Sequence, residues 1–417
     1  MVCDRPRFPL VTMLTRLGEV VFPFISSRRF MTDFPIPFDD DDLFASAGLR
    51  LTVDLTALTE NWRDMARRSG AARASAVVKA DAYGMGIEDA GEALYIAGAR
   101  DFFVATVDEG VTLRLYAPEA RIFVLSGIWP GTERRFFDND LVPVISSDEQ
   151  FAFWMAVLAD YGDYPCALHV DTGFNRLGLH IDDAIALVDD VSRPASFAPV
   201  LVMSHLACAD DPTHAMNRQQ LESFRRVSAA YEGIDSSLAA SAGIFLGEDY
   251  HFDLTRPGIA LYGGEAVCGM TNPMRPVATA EARIIQVRNV EAGETVSYGR
   301  ALQLNRKSRL AIASAGYADG YMRSQSSGGV PLRQAVPQGG QGFIAGHKVP
   351  VAGRITMDLT IFDITDLPDN AVRAGDYVEL FGKNMPVDDV ARASGTIGYE
   401  ILTSMGLRHE RRYVAEE

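Results

Sequence analysis

Ala76-Val77-Val78-Lys79-Ala80-Asp81-Ala82-Tyr83-Gly84 is an apolar run that ends on a lysine and opens into a polar segment closed by glycine. A short apolar run bounded by a turn reads as a buried strand, so Lys79 stands at a strand end against apolar walls. Desolvation disfavours an ammonium ion, which lowers the pKa of such a lysine and leaves an amine able to attack an aldehyde. On local context alone, a strand-end lysine reaching solvent is the commoner use. The chemical reading needs support from the rest of the chain.

Apolar runs of the same kind follow at 102–106, 122–127, 142–146, 167–171, 200–205, 238–241 and 256–263. Amphipathic stretches such as 148–159, 182–191 and 217–231 lie between them, and a helix capped by Asp54 or Thr56 precedes the first, with Leu55, Leu58, Trp62, Met65 and Ala66 at three-and-four spacing. Eight continuous apolar strands alternating with helices match a (β/α)8 barrel of the TIM type, with a doubly wound open sheet as the alternative. The barrel is expected over residues 47–276. After Pro276 the rhythm changes to alternating runs at 282–290, 310–315, 348–351, 359–364 and 377–381, with one short helix at 387–393. This predicts a separate, mainly antiparallel β domain over 277–417 in which 324–342 is a surface loop.

The 417 residues are too many for one ordinary core, which agrees with two domains. Residues 1–46 are rich in Phe, Pro and Arg and carry the 39–42 acidic run; Arg16, Glu19 and Pro23 interrupt any signal-like stretch. They are expected to be a poorly ordered extension, with Met31 as a candidate downstream start. Lysine and arginine number 39 against 55 aspartates and glutamates, a net charge of -16 without a basic block, so nucleic acid and anionic membranes are poor partners. Cys3, Cys166, Cys208 and Cys268 have no paired spacing, which argues for a reducing compartment.

On a barrel, chemistry sits at the carboxyl ends of the strands. Lys79 ends the first run, residues 171–176 follow the fifth, His205 ends the sixth, Ser241 ends the seventh and Arg256 opens the eighth. Each has a bland use: a surface cation, a core histidine, a helix cap, a partner for a structural carboxylate. Together on one rim they are hard to read as accident. Ser241 with Ala242 and Gly243 can start a helix whose amides favour an anion, and the Pro257-Gly258-Ile259 turn offers unobstructed N–H groups. A lysine amine beside a phosphate cradle is the requirement of pyridoxal 5'-phosphate. His205, Cys208, Asp210, Asp211 and His214 cluster in sequence, but their spacing fits no standard metal site, and no metal is expected.

Six segments carry a resemblance. Residues 78–84, 171–178 (Asp-Thr-Gly-Phe-Asn-Arg-Leu-Gly), 256–263 (Arg-Pro-Gly-Ile-Ala-Leu-Tyr-Gly), 296–299 (Val-Ser-Tyr-Gly), 316–320 (Gly-Tyr-Ala-Asp-Gly) and 353–358 (Gly-Arg-Ile-Thr-Met-Asp) stand in the order in which they occur in the alanine racemase family. The chain resembles that family from about residue 49 to beyond residue 398. The resemblance implies a pyridoxal 5'-phosphate enzyme in which Lys79 binds the cofactor covalently and is one base, while Tyr298 from the second subunit of a homodimer is the other. His205 and Arg256 then link the tyrosine to the cofactor ring, and Arg256 donates to the ring nitrogen. Tyr83, Ser241, Gly258, Ile259 and Tyr399 match phosphate positions, Arg176 and the Met357 N–H match contacts to the substrate carboxylate, and Tyr317 matches a residue that narrows the entrance. The implied role is cytoplasmic supply of D-alanine for peptidoglycan.

Two positions depart from the family pattern. Many members have, two residues before Asp171, a lysine modified to a carbamate that holds the neighbouring arginine; His169 stands there and cannot form that adduct. Ala240 replaces an asparagine that often precedes the serine. Racemases of broader specificity, a cofactor-binding protein without turnover and an amino-acid decarboxylase are the alternatives. Tyr298 and the second domain argue against the binding protein, and Arg256 against the decarboxylase.

Overall fold

The computed structural model describes residues 40–189, 197–329 and 339–415. Strands Ala76–Val77, Asp101–Val104, Arg121–Val124, Leu141–Ile145, Cys166–His169, Pro199–Met203 and Asp235–Ser237 lie side by side in chain order, all parallel. An eighth, Leu254–Thr255, pairs with Arg73–Ala74, the lead-in to the first strand. Ser75 N–H donates to the Thr255 carbonyl and Arg256 N–H to the Ala239 carbonyl, so the last strand is bonded on both sides and the sheet closes on itself. Closure excludes the doubly wound alternative and leaves the parallel sheet without an edge. Phe102, Phe103, Val104, Ile122, Phe123 and Val124 are fully buried, as expected of strands covered on both faces. The register Ala76, Phe102, Ile122, Leu141 across the first four strands levels their carboxyl ends into one rim.

Helix Leu55–Arg68 starts where Asp54 accepts from Ala57 N–H at 2.8 Å, and it buries Ala57, Leu58, Trp62 and Met65 on one face. Each large side chain so removed from water contributes on the order of 1.5–3 kcal/mol. Helix Asp148–Tyr161 likewise buries Trp154, Val157 and Leu158, and helix Ala215–Ala230 buries Leu221, Phe224 and Val227.

The second sheet has the order His347–Pro350, Gln341–Ile344, Tyr377–Phe381, Ala278–Val290, Leu49–Asp54, Glu410–Val414, with Ser308–Ala313 bridging Ala278–Val290 and Thr360–Asp363. Leu49–Asp54, counted with the barrel in the 47–276 expectation, is a correction: it pairs antiparallel with 278–282 and parallel with 410–414. Its alternating burial, Leu49, Leu51 and Val53 inward, is the pattern of a sheet covered on one face. Helix Asp40–Ser46 is a second correction, since that stretch was assigned to the poorly ordered extension. The rest of the extension, with Met31, lies outside the described residues. The seventh and eighth barrel strands come earlier than 238–241 and 256–263. Pro257 has no N–H for the ladder, and Ile259–Tyr262 turns into a 3-10 helix. The 324–342 loop is partly regular: Arg323–Gln325 is a 3-10 turn and Gln341–Ile344 a strand, while 330–338 lies outside the described residues. Among the described residues no helix is long and apolar enough to cross a membrane.

Candidate active site

Beyond the first strand the backbone inverts its hand. Ala80, Asp81, Ala82 and Tyr83 have φ of 55, 55, 51 and 57°. Left-handed geometry costs an L-residue about 1–2 kcal/mol, and four consecutive residues without a glycine must be held by their surroundings. Asp81 is the centre of that hold. Its carbonyl accepts from Gly86 N–H at 3.0 Å, its Oδ1 from Ile87 N–H at 2.8 Å, and its own N–H donates to Glu109 Oε1 at 3.3 Å. Gly84, at φ 82°, passes so near the Leu402 carbonyl that a Cβ would lie 2.6 Å from it.

The turn carries Lys79 at its start and Tyr83 at its end. Burial and then the nearby Arg176 guanidinium hold the half-buried Lys79 amine below the ordinary lysine value, with Glu109 opposing them. Tyr83 is 4% exposed, stacks on Tyr262 at 4.5 Å and lies 6.0 Å from the Tyr399 ring. Burial pushes the Tyr83 phenol up, so it keeps its proton and can donate. Burial, then Asp210 and Asp388, push Tyr399 up to about 12. Ser241, the first residue of the short helix Ser241–Ile244, accepts from Gly258 N–H at 2.8 Å and Ala260 N–H at 3.3 Å. A Cβ on Gly258 would lie 2.3 Å from Tyr83 Oη. Hydroxyl, backbone amides and phenol thus converge where only glycine fits, a donor set suited to a phosphate.

The other wall is cationic. Arg256 is 4% exposed and donates to Ser237 Oγ, the Ser204 carbonyl and the Leu238 carbonyl, all neutral oxygens. Burial pushes it down to about 9, so it stays charged at neutral pH. His205 is pushed down to about 3 by burial, then by Arg256 and Arg176, and His169 down to about 4 by the same causes. Both imidazoles are therefore neutral. The Asp171 carboxylate accepts from the Gly173, Phe174 and Asn175 N–H groups, each at 2.8 Å, and shapes the loop that presents Arg176. Arg176 lies 4.2 Å over the Phe174 ring, which meets His205 at 5.6 Å. A neutral His169 supplies no anion to Arg176, which leaves its guanidinium available to a bound carboxylate or oxyanion.

Lys79, Tyr83, Arg176, His205, Ser241, Arg256, Gly258, Ile259 and Tyr399 are thus brought to one rim. Tyr298, Tyr317 and Met357 are not. They are 74%, 43% and 55% exposed on the second domain, where Tyr317 N–H donates to the Thr356 carbonyl and Ala318 N–H to the Met357 carbonyl. Among the described residues, no hydrogen bond or ring contact joins Tyr298 to Lys79, Arg176 or His205. Sequence reasoning overlooked Tyr262, whose phenol donates to the Val77 carbonyl at 3.0 Å, Ser204 and Ser237, which hold Arg256, and Glu109. Tyr262 lay within a quoted segment, and the Thr106 to Glu109 spacing of a capping box was readable.

The model of the alanine racemase N-terminal domain matches residues 53–266, and that of the alanine racemase C-terminal domain matches 277–413. The chain is 71% identical over 387 residues to the biosynthetic alanine racemase of Agrobacterium fabrum, covering 92% of this chain and 99% of the relative. It is 65% identical over 371 residues to an alanine racemase of Rhizobium meliloti, covering 89% and 98%. Among solved structures, the Bartonella henselae alanine racemase with covalently bound pyridoxal phosphate superposes with a TM-score of 0.81 at 36% identity, covering 88% of this chain and 100% of that one.

Proposed function

The chain belongs to the alanine racemase family, and from that premise we propose that Lys79 and Tyr298 are its two bases, supplied to one site by two copies of the chain. The protein is an isomerase that interconverts L-alanine and D-alanine with pyridoxal 5'-phosphate. When bound, the cofactor supplies a conjugated ring that takes up the electron pair left on the substrate carbon.

Tyr83 Oη, Ser241 Oγ and the Gly258 and Ile259 N–H groups hold the phosphate, with Tyr399 beside them. Arg256 would face the ring nitrogen as a donor; being already fully protonated, it would accept no proton there. Arg176, together with the partner's Met357 N–H, pairs with the substrate carboxylate. The depressed Lys79 amine takes or returns the α proton on one face. Tyr298 of the partner subunit does so on the other. Two groups are required, because a single fixed base would return the proton to the face it came from. His205, neutral and set near Arg256, can donate its ring N–H to the Tyr298 phenolate oxygen and so favour the deprotonated form. Tyr317 narrows the entrance in favour of a methyl side chain.

The observation that carries this reading is the pairing of a depressed lysine on the barrel rim with a tyrosine left 74% exposed on the same chain. A homodimer with shared sites accounts for that exposure. We extend the reading to a cytoplasmic enzyme that supplies D-alanine for peptidoglycan. Cofactor-loaded protein incubated with single L-amino acids in deuterated water tests it: D-alanine carrying α-deuterium should lead, and borohydride should fix the cofactor to Lys79. Comparable D-isomers across the panel would replace alanine specificity by a broader racemase. Cofactor bound elsewhere than Lys79 would overturn the assignment.

A further inference from the structure

Glu109 is the third residue of helix Val107–Arg114, and it closes a capping box with Thr106. Its Oε2 accepts from Thr106 N–H at 3.2 Å and Ala105 N–H at 2.7 Å, which accounts for the box. The other oxygen has no part in that box. Oε1 reaches across to the preceding barrel loop and accepts from Asp81 N–H, in the middle of the left-handed turn between Lys79 and Tyr83. The carboxylate is also a negative group acting on the Lys79 amine, against burial and against Arg176 from the loop after the fifth strand.

We propose that Glu109 is a positioning residue for the reaction: one oxygen fixes the turn that aims Lys79 and Tyr83, and the same bond sets a carboxylate at Asp81, two residues from Lys79. This rests on the reading of Lys79 as a base. An amine that takes a proton from one isomer and gives it to the other must pass readily between both states. Burial and Arg176 alone would favour the neutral state. Glu109 opposes them, whereas the Asp171 carboxylate is spent on the Gly173, Phe174 and Asn175 N–H groups and Asp81 Oδ1 on Ile87 N–H.

Glu109→Gln separates the helix cap from the proposed role. Glutamine keeps a capping box, but with its carbonyl on Thr106 it turns an NH2 toward Asp81 N–H, losing the bond and the charge together. We expect holo Glu109→Gln to lose about tenfold in kcat. In the direction in which Lys79 accepts the proton, the acid limb of kcat against pH should move down by at least about half a unit. In the reverse direction, where Lys79 donates, the alkaline limb should move down instead. Thr106→Ala, which breaks the box and leaves Glu109 in place, should lower the melting temperature without moving either limb. A Glu109→Gln enzyme with wild-type kcat and limbs would overturn the proposal, as would Thr106→Ala moving the limbs equally. Failure of the two-base reading is distinct: the wild type would then show no lysine-dependent limb in either direction.

Discussion

Gly258→Ala places a methyl 2.3 Å from Tyr83 Oη and 3.2 Å from Tyr83 Cζ. Ordinary contact begins near 3.4 Å, so the phenol must retreat by about 1 Å. It has little room: the ring is 4% exposed and stacked at 4.5 Å on Tyr262, and its backbone sits in the left-handed turn. Overpacking of this kind costs about 1–3 kcal/mol. Both displaced groups, the phenol and the Gly258 N–H, belong to the proposed phosphate cradle, so the same energy should appear as cofactor affinity weakened roughly tenfold to a hundredfold. The assay is titration of apoprotein with pyridoxal 5'-phosphate, run in wild-type and Tyr83→Phe backgrounds. Removing Oη deletes the closest atom, so Gly258→Ala should cost at least about 1 kcal/mol less in the Tyr83→Phe background. Unchanged affinity in Gly258→Ala, or an equal penalty in both backgrounds, would refute the steric argument.

Lys79→Ala and Tyr298→Ala enzymes, each inactive alone, should recover about one quarter of wild-type specific activity when refolded together, since half the dimers then hold one intact site of two; hybrids formed without activity would sink the shared site. His169 and His205 are held neutral by burial, with pKa values of about 4 and about 3 against about 6.5 when unfolded. The unfolded chain therefore binds more protons below pH 6.5, and stability should fall as pH drops from 6.5 toward 4. His169 alone should contribute about 2 kcal/mol of that loss at pH 5, and His169→Asn should flatten the dependence of melting temperature on pH. Arg256→Lys removes the fork that spans Ser204, Ser237 and Leu238 and should destabilise the apoprotein by about 1–3 kcal/mol, read by denaturant unfolding.

The barrel was legible because buried parallel strands leave continuous apolar runs, and six of the eight appeared near their expected places. The last two slipped because beyond Ser237 and Thr255 the ladder thins to single contacts, Arg256 N–H to the Ala239 carbonyl and the Ala240 to Arg256 bridge, while Leu238 and Ala239 stay fully buried, and burial alone does not mark where a strand ends. Lys79, Arg176, His205, Ser241 and Arg256 could be singled out as polar residues at strand ends, whereas Tyr83 and Tyr399 came only with the resemblance. Glu109 was not singled out: its spacing from Thr106 signals only a capping box, and its bond to Asp81 N–H joins residues 28 apart in the chain.

The alternation of apolar runs and helices determined a barrel followed by a β domain, and the six ordered segments determined which chemistry those domains carry. These are properties of local pattern, which the chain holds whether folded or not. Tertiary structure alone decided that Leu49–Asp54 joins the second sheet, because strand partners are chosen by distant residues. It also decided that four non-glycine residues take the left hand, because only surrounding hydrogen bonds stabilise what their own sterics oppose. And it left Tyr298 exposed on its own chain while Lys79 is half-buried, a difference in burial that no reading of neighbouring residues contains.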